Sequence, residues 1–367
     1  MTQTQNPRQG AALMKNTTKY VALDVHQEAT ATTVRDHKGR VIARSVIPTE
    51  EGTLLEFFRG MRGSIHVTFE EGTQAQWLHD LLVGVVDRVV VCDRRGEGQK
   101  GNKSDRVDAD QLSDLLRRGG LRAVYHGSPH RADLKELTRT YQNLVEDSMR
   151  VMQRLKALFR ARAIRTPGKG VYDPAKRAEW LADLPGRGVR FRAQVLYTEL
   201  DILRDLRPKA KAAMVAEARR DPAYAVLETI PFLGPVRVAL LLATLGTPWR
   251  FRSKRNLWGY AGLAVVTHNS SEFVLVGGRP VRRKRQPLTR GLNRNHNPTI
   301  KAVFKGAAIG ASAKPGPLQD FYHGIVERGM DEALARVTLA RKIAAVTLRL
   351  WKRGEPFDPE MLTVQAR

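Results

Sequence analysis

One acidic residue in an apolar run constrains the fold of this chain more than any other feature. Residues Tyr20–Val25 are aromatic, β-branched or apolar except for Asp24, a composition typical of a strand that is covered on both faces. A carboxylate buried alone in such a strand would cost several kcal/mol. Asp24 must therefore reach solvent, pair with a cation or bind a metal ion. Three later acids could share its environment: Glu70, Asp105 and Asp108.

The segments that surround and follow Asp24 alternate between strand and helix patterns. Three strands connected as a meander come first, and strands alternating with helices follow, which predicts a mixed α/β sheet. This order is that of the RNase H-like nucleases. The predicted strands are Tyr20–Val25, Ala29–Arg35, Val41–Ile47, Ile65–Phe69 and Asp87–Cys92, and the predicted helices are Glu51–Met61, Gln74–Val83 and Asp105–Arg118.

The positions of the four acids indicate a cation site. Ligands collect beyond the strand ends of open sheets, and Asp24 and Glu70 stand at strand ends. Asp105 and Asp108 open a helix, where their spacing puts both carboxylates on one face. Such a cluster suits Mg²⁺ or Mn²⁺, because hard cations prefer oxygen ligands. For each of these acids taken singly, the alternative is a side chain that is simply solvated at a strand end. Three other acids could be cation ligands in their place: Glu28, Glu71 and Asp110.

The charge balance favours nucleic acid as a partner. The chain has 62 Lys and Arg against 37 Asp and Glu, a net charge of +25. Clustered cations gain affinity by displacing counterions from phosphates. A generically basic protein is the alternative. The basic residues expected to contact nucleic acid are Lys100, Lys103, Arg250, Arg252, Lys254, Arg255, Arg282, Arg283, Lys284, Arg285, Arg290 and Arg294.

Cysteine content and apolar runs narrow the class of protein. The single cysteine, Cys92, excludes an internal disulfide and a cysteine zinc site, and its strand-like surroundings predict a core thiol. Residues 1–18 are polar and lack the apolar stretch of a secretory signal. The longest apolar runs are too short to span a bilayer. We therefore expect a cytoplasmic, nucleoid-associated protein without a membrane partner.

The middle of the chain has a helical pattern. Its apolar positions recur at alternating spacings of three and four, a heptad seam, at Leu134, Leu137, Tyr141, Leu144, Ser148, Val151, Leu155 and Leu158. A second helical stretch covers about 191–207 and carries Val195, Leu196, Leu200, Leu203 and Leu206. The seam is consistent both with a helix bundle inside one subunit and with a coiled coil between subunits.

The C-terminal part combines a turn, a basic loop and helices. Ile230–Gly234 lies between two helical segments and resembles a helix-hairpin-helix, whose turn offers backbone N–H groups to phosphate. A plain helical hairpin is the alternative. Residues from about 249 to 294 are basic and poorly periodic, which predicts a loop-rich cationic surface. Three helices, 299–313, 317–328 and 331–352, complete the chain.

Five ordered stretches resemble one family. The set is similar to the DEDD transposases of the IS110 insertion-sequence family, the bridge-RNA-guided recombinases, from about residue 19 to 355. Asn102–Ala109 is the most specific part of the likeness. The stretches are Ala22–Val25, Thr68–Gly72, Asn102–Ala109, Thr229–Gly234 and Tyr260–Leu263.

The resemblance implies a domain order and a set of site residues. It implies a tail at 1–18, a RuvC-like domain at 19–125, a coiled-coil linker at 126–222, a mainly helical transposase domain at 223–355 and a tail at 356–367. The family's four metal-binding acids correspond to Asp24, Glu70, Asp105 and Asp108, and its nucleophilic serine corresponds to Ser270. Because Ser271 stands where the family usually has Gly, the nucleophile is open between Ser270 and Ser271.

The expected function is therefore RNA-guided DNA transposition through metal-assisted, serine-linked strand cleavage and exchange. The implied partners are donor and target DNA, a guide RNA, and further copies of the chain in a dimer or tetramer. One alternative is a metal-only RuvC-like nuclease that hydrolyses branched DNA and needs neither serine. Another is a nucleic-acid-binding protein without catalysis.

Overall fold

The chain divides into an N-terminal unit, Met1–Pro129, and a C-terminal unit, His130–Arg367. The computed structural model describes residues 18–93, 105–127, 131–268, 273–277, 279–282 and 288–365. Within these ranges, the N-terminal unit contains a sheet and three helices, and the C-terminal unit is mainly helical.

A mixed sheet with the strand order β3-β2-β1-β4-β5 forms the N-terminal unit. The strands β1 to β3 pair antiparallel, whereas β1 with β4 and β4 with β5 pair parallel. The prediction of a three-stranded meander followed by βαβ units is confirmed, and the sheet is consistent with an RNase H-like fold. The strands are β1 (Lys19–Val25), β2 (Ala29–Arg35), β3 (Val41–Pro48), β4 (Ile65–Glu70) and β5 (Arg88–Cys92).

Helices pack against both faces of this sheet. Leu54 and Phe58 of α1 (Glu51–Arg59) and Leu78 of α2 (Ala75–Leu82) belong to one apolar cluster, together with alternate residues of β1 and β4. The third helix, α3 (Asp105–Arg118), brings Ala109 and Leu112 into a second cluster with Ala22 and Cys92. Cys92 is a buried free thiol, as predicted. Burial on both faces explains why β1 is apolar almost throughout.

Two long helices begin the C-terminal unit, α4 (Ala132–Arg160) and α6 (Arg187–Ala218), with the short α5 (Arg177–Ala182) between them. Val151, Leu155 and Leu158 of the predicted seam pack against apolar residues of α6, such as Leu200. The first part of the seam joins a different cluster: Leu134 is buried there, and Leu137 and Tyr141 pack against it. The seam is therefore used within one subunit.

A helical core completes the C-terminal unit. Its helices are α7 (Ala223–Glu228), α8 (Pro235–Leu245), α9 (Lys254–Tyr260), α10 (Pro298–Ala313), α11 (Pro317–Val326) and α12 (Glu332–Arg353). Local signals set their bounds: the carboxylate of Asp331 accepts from two backbone N–H groups of the first turn of α12, and the left-handed Gly354 ends that helix. A final 3-10 helix, Pro359–Gln365, follows, and Leu362 is buried in the core.

The basic segment from 249 to 294 contains four short strands that the sequence pattern did not indicate. The strand β6 (Val265–His268) pairs with β9 (Leu288–Leu292), and β7 (Phe273–Val276) pairs with β8 (Arg279–Arg282). The strands of both pairs run antiparallel. Strands of only four or five residues are too short to give a usable periodicity, so a loop was the expected assignment.

None of the helices in the described ranges combines the length and the apolar composition needed to cross a bilayer.

Candidate active site and nucleic-acid interface

Asp24 and Glu70 come from two neighbouring parallel strands. The register pairs Ala22 with Thr68 and Leu23 with Phe69, so Asp24 and Glu70 are the next residues along β1 and β4. Because side chains alternate between the faces of a strand, both acids lie on the face of Ala22. The Asp24 side chain is 23% exposed, and Glu70 is exposed. The sheet therefore brings two of the four predicted acids together at its carboxyl edge.

The helix that carries the other two acids covers this same face. Ala109 and Leu112 of α3 pack against Ala22 and Cys92, so the helix begins near the strand ends. Asp108 precedes Ala109 and is half-buried. Asp105 is the first residue of α3, and its side chain lies outside the described part of the chain.

Asp110 belongs to the contacts that hold α3 on the sheet. Its carboxylate accepts from the Arg44 guanidinium, with an Nη2–Oδ2 distance of 2.7 Å, and from the Thr33 hydroxyl at 2.9 Å. The hydrogen bond from Arg44 is the largest cause that lowers the pKa of Asp110 below its ordinary value. Arg35 adds hydrogen bonds to the Ser113 hydroxyl at 2.8 Å and to the Asp110 carbonyl at 3.1 Å. Asp110 thus positions the helix, and it does not compete with Asp108 for a cation.

Glu71, a second competing acid, pairs with a histidine that the sequence reasoning missed. The Nε2 atom of His126 lies 2.7 Å from Oε2 of Glu71, and its Nδ1 lies 3.2 Å from Oε1 of Gln76. The His126 ring also stacks on His79 at a centroid distance of 5.1 Å. The His126 side chain is only 7% exposed. No spacing in the sequence indicates this pair, because the two residues are joined only by the tertiary fold.

The imidazole of His26 lies near the carboxylate of Asp24. Its Nε2 atom lies 3.5 Å from Oδ2 of Asp24, and the His26 side chain is 56% exposed. The third competing acid, Glu28, is exposed in the turn between β1 and β2, where its backbone carbonyl accepts from Thr49 N–H. Of the acids near the start of the sheet, Asp24 is the one that the register places beside Glu70.

The donor chemistry of this edge fits a hard divalent cation. Asp24, Glu70 and Asp108 offer only carboxylate oxygens, which are the ligands that Mg²⁺ prefers. Among the side chains that the structure describes, no three His, Cys, Asp or Glu residues converge on one metal position. Asp105 would add the fourth carboxylate. The structure therefore brings Asp24 and Glu70 together at the strand ends, and the contribution of Asp105 and Asp108 stays a prediction.

Several predicted site residues lie outside the described residues: the candidate nucleophiles Ser270 and Ser271, and the nucleic-acid contacts Lys100, Lys103, Arg283, Lys284 and Arg285. Arg282 is the last residue of β8 and Arg290 lies in β9, in a segment whose side chains are not described. The remaining basic residues predicted for nucleic acid have described side chains. They are Arg250, Arg252, Lys254, Arg255 and Arg294.

These remaining residues have different environments. Arg252, Arg255 and Arg294 are exposed, as a nucleic-acid contact requires. Arg250 instead donates to the carbonyls of Thr244 and Leu245, at 3.1 and 2.9 Å, at the end of α8. Arg250 therefore has a structural role in addition to any contact with phosphate.

The segment predicted as a helix-hairpin-helix connects α7 to α8. Phe232 has a positive φ of 67°, and its carbonyl accepts from Arg237 Nη1 at 2.8 Å. A side chain at Gly310 would meet the Phe232 ring at 3.0 Å, so α10 packs closely against this turn. The turn is fixed by contacts within the C-terminal unit.

Two family models match the chain, in regions that together make up about two thirds of it. The model of the IS110 DEDD transposase, described as "Transposase", matches residues 21–162. The model described as "Transposase IS116/IS110/IS902 family" matches residues 224–323. The first includes the sheet with its acids, and the second includes the basic segment and the core helices from α7 to most of α11.

A curated protein from Streptomyces clavuligerus is similar over part of the chain. It is the "Insertion element IS116 uncharacterized 44.8 kDa protein", and it is 26% identical over 141 residues. The aligned region is 38% of this chain and 32% of that protein. The chain therefore spans about a third of the length of this relative.

Proposed function

Since the chain belongs to the IS110 family of insertion-sequence transposases, we propose that it cuts and rejoins DNA strands to move an insertion sequence. The observation that carries this proposal is the register of β1 and β4, which makes Asp24 and Glu70 neighbours on the face that α3 covers. An oxygen-rich edge of this kind is suited to phosphoryl transfer, in which charge develops on phosphate oxygens.

The four acids have the proposed role of holding Mg²⁺ or Mn²⁺. Asp24 and Glu70 would bind from the strand ends, and Asp105 and Asp108 from the first turn of α3. When bound, the cation would polarise the scissile phosphate and stabilise the developing negative charge. Asp110, Arg44 and Thr33 keep α3 in place, so the distance between the two pairs of acids is set by the packing of one helix.

A serine-linked strand exchange is the proposed chemistry. The Oγ atom of Ser270, or of Ser271, attacks the phosphorus of a phosphodiester, and the bond from phosphorus to one deoxyribose oxygen breaks. The serine proton is lost and the leaving oxygen takes up a proton, so the protons balance. The DNA remains attached as a phosphoserine ester. Attack by a hydroxyl of a second strand reverses the step and joins the new pair of strands.

Donor DNA, target DNA and a guide RNA are the proposed partners. The net charge of +25 supports binding to several phosphate backbones at once. If a guide RNA pairs with both DNAs, base pairing carries the sequence recognition and the protein reads mainly the backbone.

A second copy of the chain is a further proposed partner, and α6 supplies the surface. Phe191, Val195, Ile202 and Leu206 are 65%, 49%, 56% and 40% exposed. Their spacings of four, seven and four place them on one helical face. Leu196, Leu200 and Leu203 on the opposite face pack against α4. An apolar stripe left open by this packing fits a helix of another subunit, which supports a dimer or a tetramer.

A metal-dependent nuclease is the second candidate function. All four acids belong to the N-terminal unit, Met1–Pro129, so hydrolysis at this sheet would need no residue of the C-terminal unit. In that reaction water replaces serine as the nucleophile, and no covalent protein–DNA product forms.

A recombination assay with a covalent-adduct readout separates these functions. The protein and an RNA transcribed from the DNA that flanks its gene are incubated with a donor plasmid and a target plasmid, and protein linked to DNA is trapped by denaturation. We expect Ser270→Ala, or else Ser271→Ala, to abolish both the adduct and the recombinant product, while Asp24→Asn abolishes all cleavage. If both serine variants recombine like the parent, the serine mechanism is wrong. Cleavage that persists without an adduct in the double variant Ser270→Ala/Ser271→Ala would favour the nuclease.

A further inference from the structure

A cavity in the C-terminal unit is lined by five basic residues. Its volume is about 260 Å³, and it lies between the start of α9, the second half of α12 and the final 3-10 helix. The cations are Arg252, Lys254, Lys342, Arg349 and Lys352. Among the lining residues that the structure describes, none is acidic. The cavity therefore concentrates positive charge without an internal counter-ion, a property of anion-binding sites.

Two of the five cations are available to a ligand. Arg252 and Arg349 are exposed, and within the described part of the chain neither guanidinium has a protein acceptor. A guanidinium presents a rigid fork of N–H donors that matches two oxygens of a phosphate. Both arginines can therefore bind an anion without breaking a contact of the fold.

Carbonyl groups hold two of the three lysines of the cavity in place, Lys342 and Lys352. Lys352 Nζ donates to the Phe251 carbonyl at 2.6 Å. Lys342 is 7% exposed and donates to the carbonyls of Met361 and Leu362, both at 3.2 Å. Burial lowers the pKa of Lys342, and the nearby Lys254 and Arg349 lower it further. An anion in the cavity would offset this repulsion and favour the charged lysine.

An exposed indole lies beside the cavity. Trp249 is 71% exposed, although tryptophan is usually highly buried in folded proteins. Lys352, which lines the cavity, has its Nζ 5.3 Å from the centroid of the Trp249 ring. An open aromatic face next to cations is the arrangement by which proteins bind unpaired nucleotides, with the base on the ring and the backbone on the cations.

We propose that this cavity binds one phosphodiester of an unpaired nucleic-acid strand, while the Trp249 indole stacks on an adjacent base. A free base face is required for stacking, so a single-stranded segment fits better than a duplex. The inference rests on the nucleic-acid binding in the proposed function, but it needs neither the acids of the sheet nor the serine. DNA and RNA share the phosphodiester, and the binding experiment below distinguishes them.

The first experiment tests the anion site without nucleic acid. Thermal unfolding is measured in sodium phosphate and in sodium chloride at equal ionic strength. We expect phosphate to raise the Tm of the parent by about 2 °C more than chloride does, because the anion binds only the folded protein. The double variant Arg252→Gln/Arg349→Gln should lose this difference. The matched variant Lys314→Gln/Arg328→Gln removes two exposed charges elsewhere and should keep it. Equal shifts in both salts for the parent would overturn the proposal.

The second experiment tests the strand and the indole. Affinity is measured by fluorescence anisotropy for a single-stranded DNA, an RNA of the same sequence, and the DNA duplex. We expect Trp249→Ala to weaken single-strand binding about tenfold, with little effect on the duplex, and Trp249→Phe to retain most of it. Arg252→Gln/Arg349→Gln removes the contact with one phosphate and should therefore lower the salt slope on single strands by about 0.7. The preferred single strand, DNA or RNA, identifies the source of the phosphodiester.

The outcomes separate this inference from the proposed function. If the parent recombines DNA while Trp249→Ala binds single strands as tightly as the parent, the strand site is wrong and the proposed function stands. If the variants weaken single-strand binding as expected but the parent never recombines DNA, only the proposed function fails. A parent that binds no nucleic acid would overturn both.

Discussion

Asp24 and Glu70 are side-by-side residues on the parallel strands β1 and β4, one step beyond the Leu23–Phe69 pair. The two residues are 46 positions apart in the sequence, and the sheet alone makes them neighbours. Their face is the one that α3 covers with Ala109 and Leu112. A cation held there would contact two strands and one helix, so the geometry of the site depends on the packing of α3.

Removal of either strand-end carboxylate is expected to stop catalysis without unfolding the protein. Asp24→Asn and Glu70→Gln should each lower the recombination rate by about two orders of magnitude or more, because the charge that stabilises the transition state is lost. Glu28→Gln, a matched change at an exposed residue near β1, should leave the rate within about twofold of the parent. Normal recombination by Asp24→Asn, with its circular dichroism unchanged, would remove this edge from the mechanism.

The ion pair between Asp110 and Arg44 is expected to make the N-terminal unit sensitive to acid. Arg44 lowers the pKa of Asp110, so the pair stabilises the fold above the unfolded pKa of about 3.9. This contribution is lost as the pH falls through the lower folded value. Both groups are partly exposed, so solvent screens the pair and its contribution is small. Hydrogen exchange of the β1 and β2 amides, measured at pH 5 and pH 3, should show this loss of stability at the lower pH.

A matched charge removal controls for the general effect of acid. Asp110→Asn should flatten the dependence of amide exchange on pH in β1 and β2, whereas Glu56→Gln, an exposed residue of α1, should not. The same dependence in Asp110→Asn and the parent would show that another group titrates.

Gly262 is expected to tolerate no side chain. Its φ is +63°, and a Cβ atom there would lie 2.5 Å from Cγ of His296. Gly262→Ala should therefore destabilise the C-terminal unit by about 2 kcal/mol or more. Gly259→Ala is the matched control in α9, where a Cβ would meet no atom within 4 Å, and it should stabilise the unit by about 0.5–1 kcal/mol. Thermal unfolding distinguishes the two. A neutral Gly262→Ala would contradict the backbone conformation described for this turn.

The apolar stripe on α6 is expected to hold two copies of the chain together. Phe191→Glu/Ile202→Glu should shift the protein toward the monomer in sedimentation velocity, since each change puts a charge into an apolar interface. Lys211→Glu alters an exposed residue on the opposite side of the same helix and should leave the oligomeric state unchanged. An unaltered oligomer in the double variant would assign assembly to another surface.

Much of the N-terminal fold followed from local patterns. The strand β2 and the helix α3 have the bounds that periodicity predicted, Ala29–Arg35 and Asp105–Arg118, because each has a clear apolar repeat and flanking turn signals. The strands β6 to β9 were missed, since they are short and their stability depends on partners elsewhere in the chain. Strand pairing is a non-local interaction that no window of the sequence contains.

The candidate site also combines residues that local sequence patterns predict with contacts that only the tertiary fold produces. The residue types and their places at strand ends and at a helix start were sufficient to select Asp24, Glu70, Asp105 and Asp108. Arg44 and Thr33 bind the carboxylate of Asp110, which gives a physical reason to select Asp108 rather than Asp110 as a candidate cation ligand. The pair Glu71–His126 had no signal in the sequence, because its two residues are 55 positions apart.

The sequence alone determined the order of strands and helices, the excess of positive charge and the identity of the candidate acids, because these depend on local periodicity and composition. The tertiary structure decided which residues become neighbours. It placed Asp24 beside Glu70, used the heptad seam of α4 inside one subunit, and gathered Arg252, Lys342 and Arg349 around one cavity. These relations arise from packing between segments far apart in the chain, where burial and charge pairing of the whole fold set the lowest free energy.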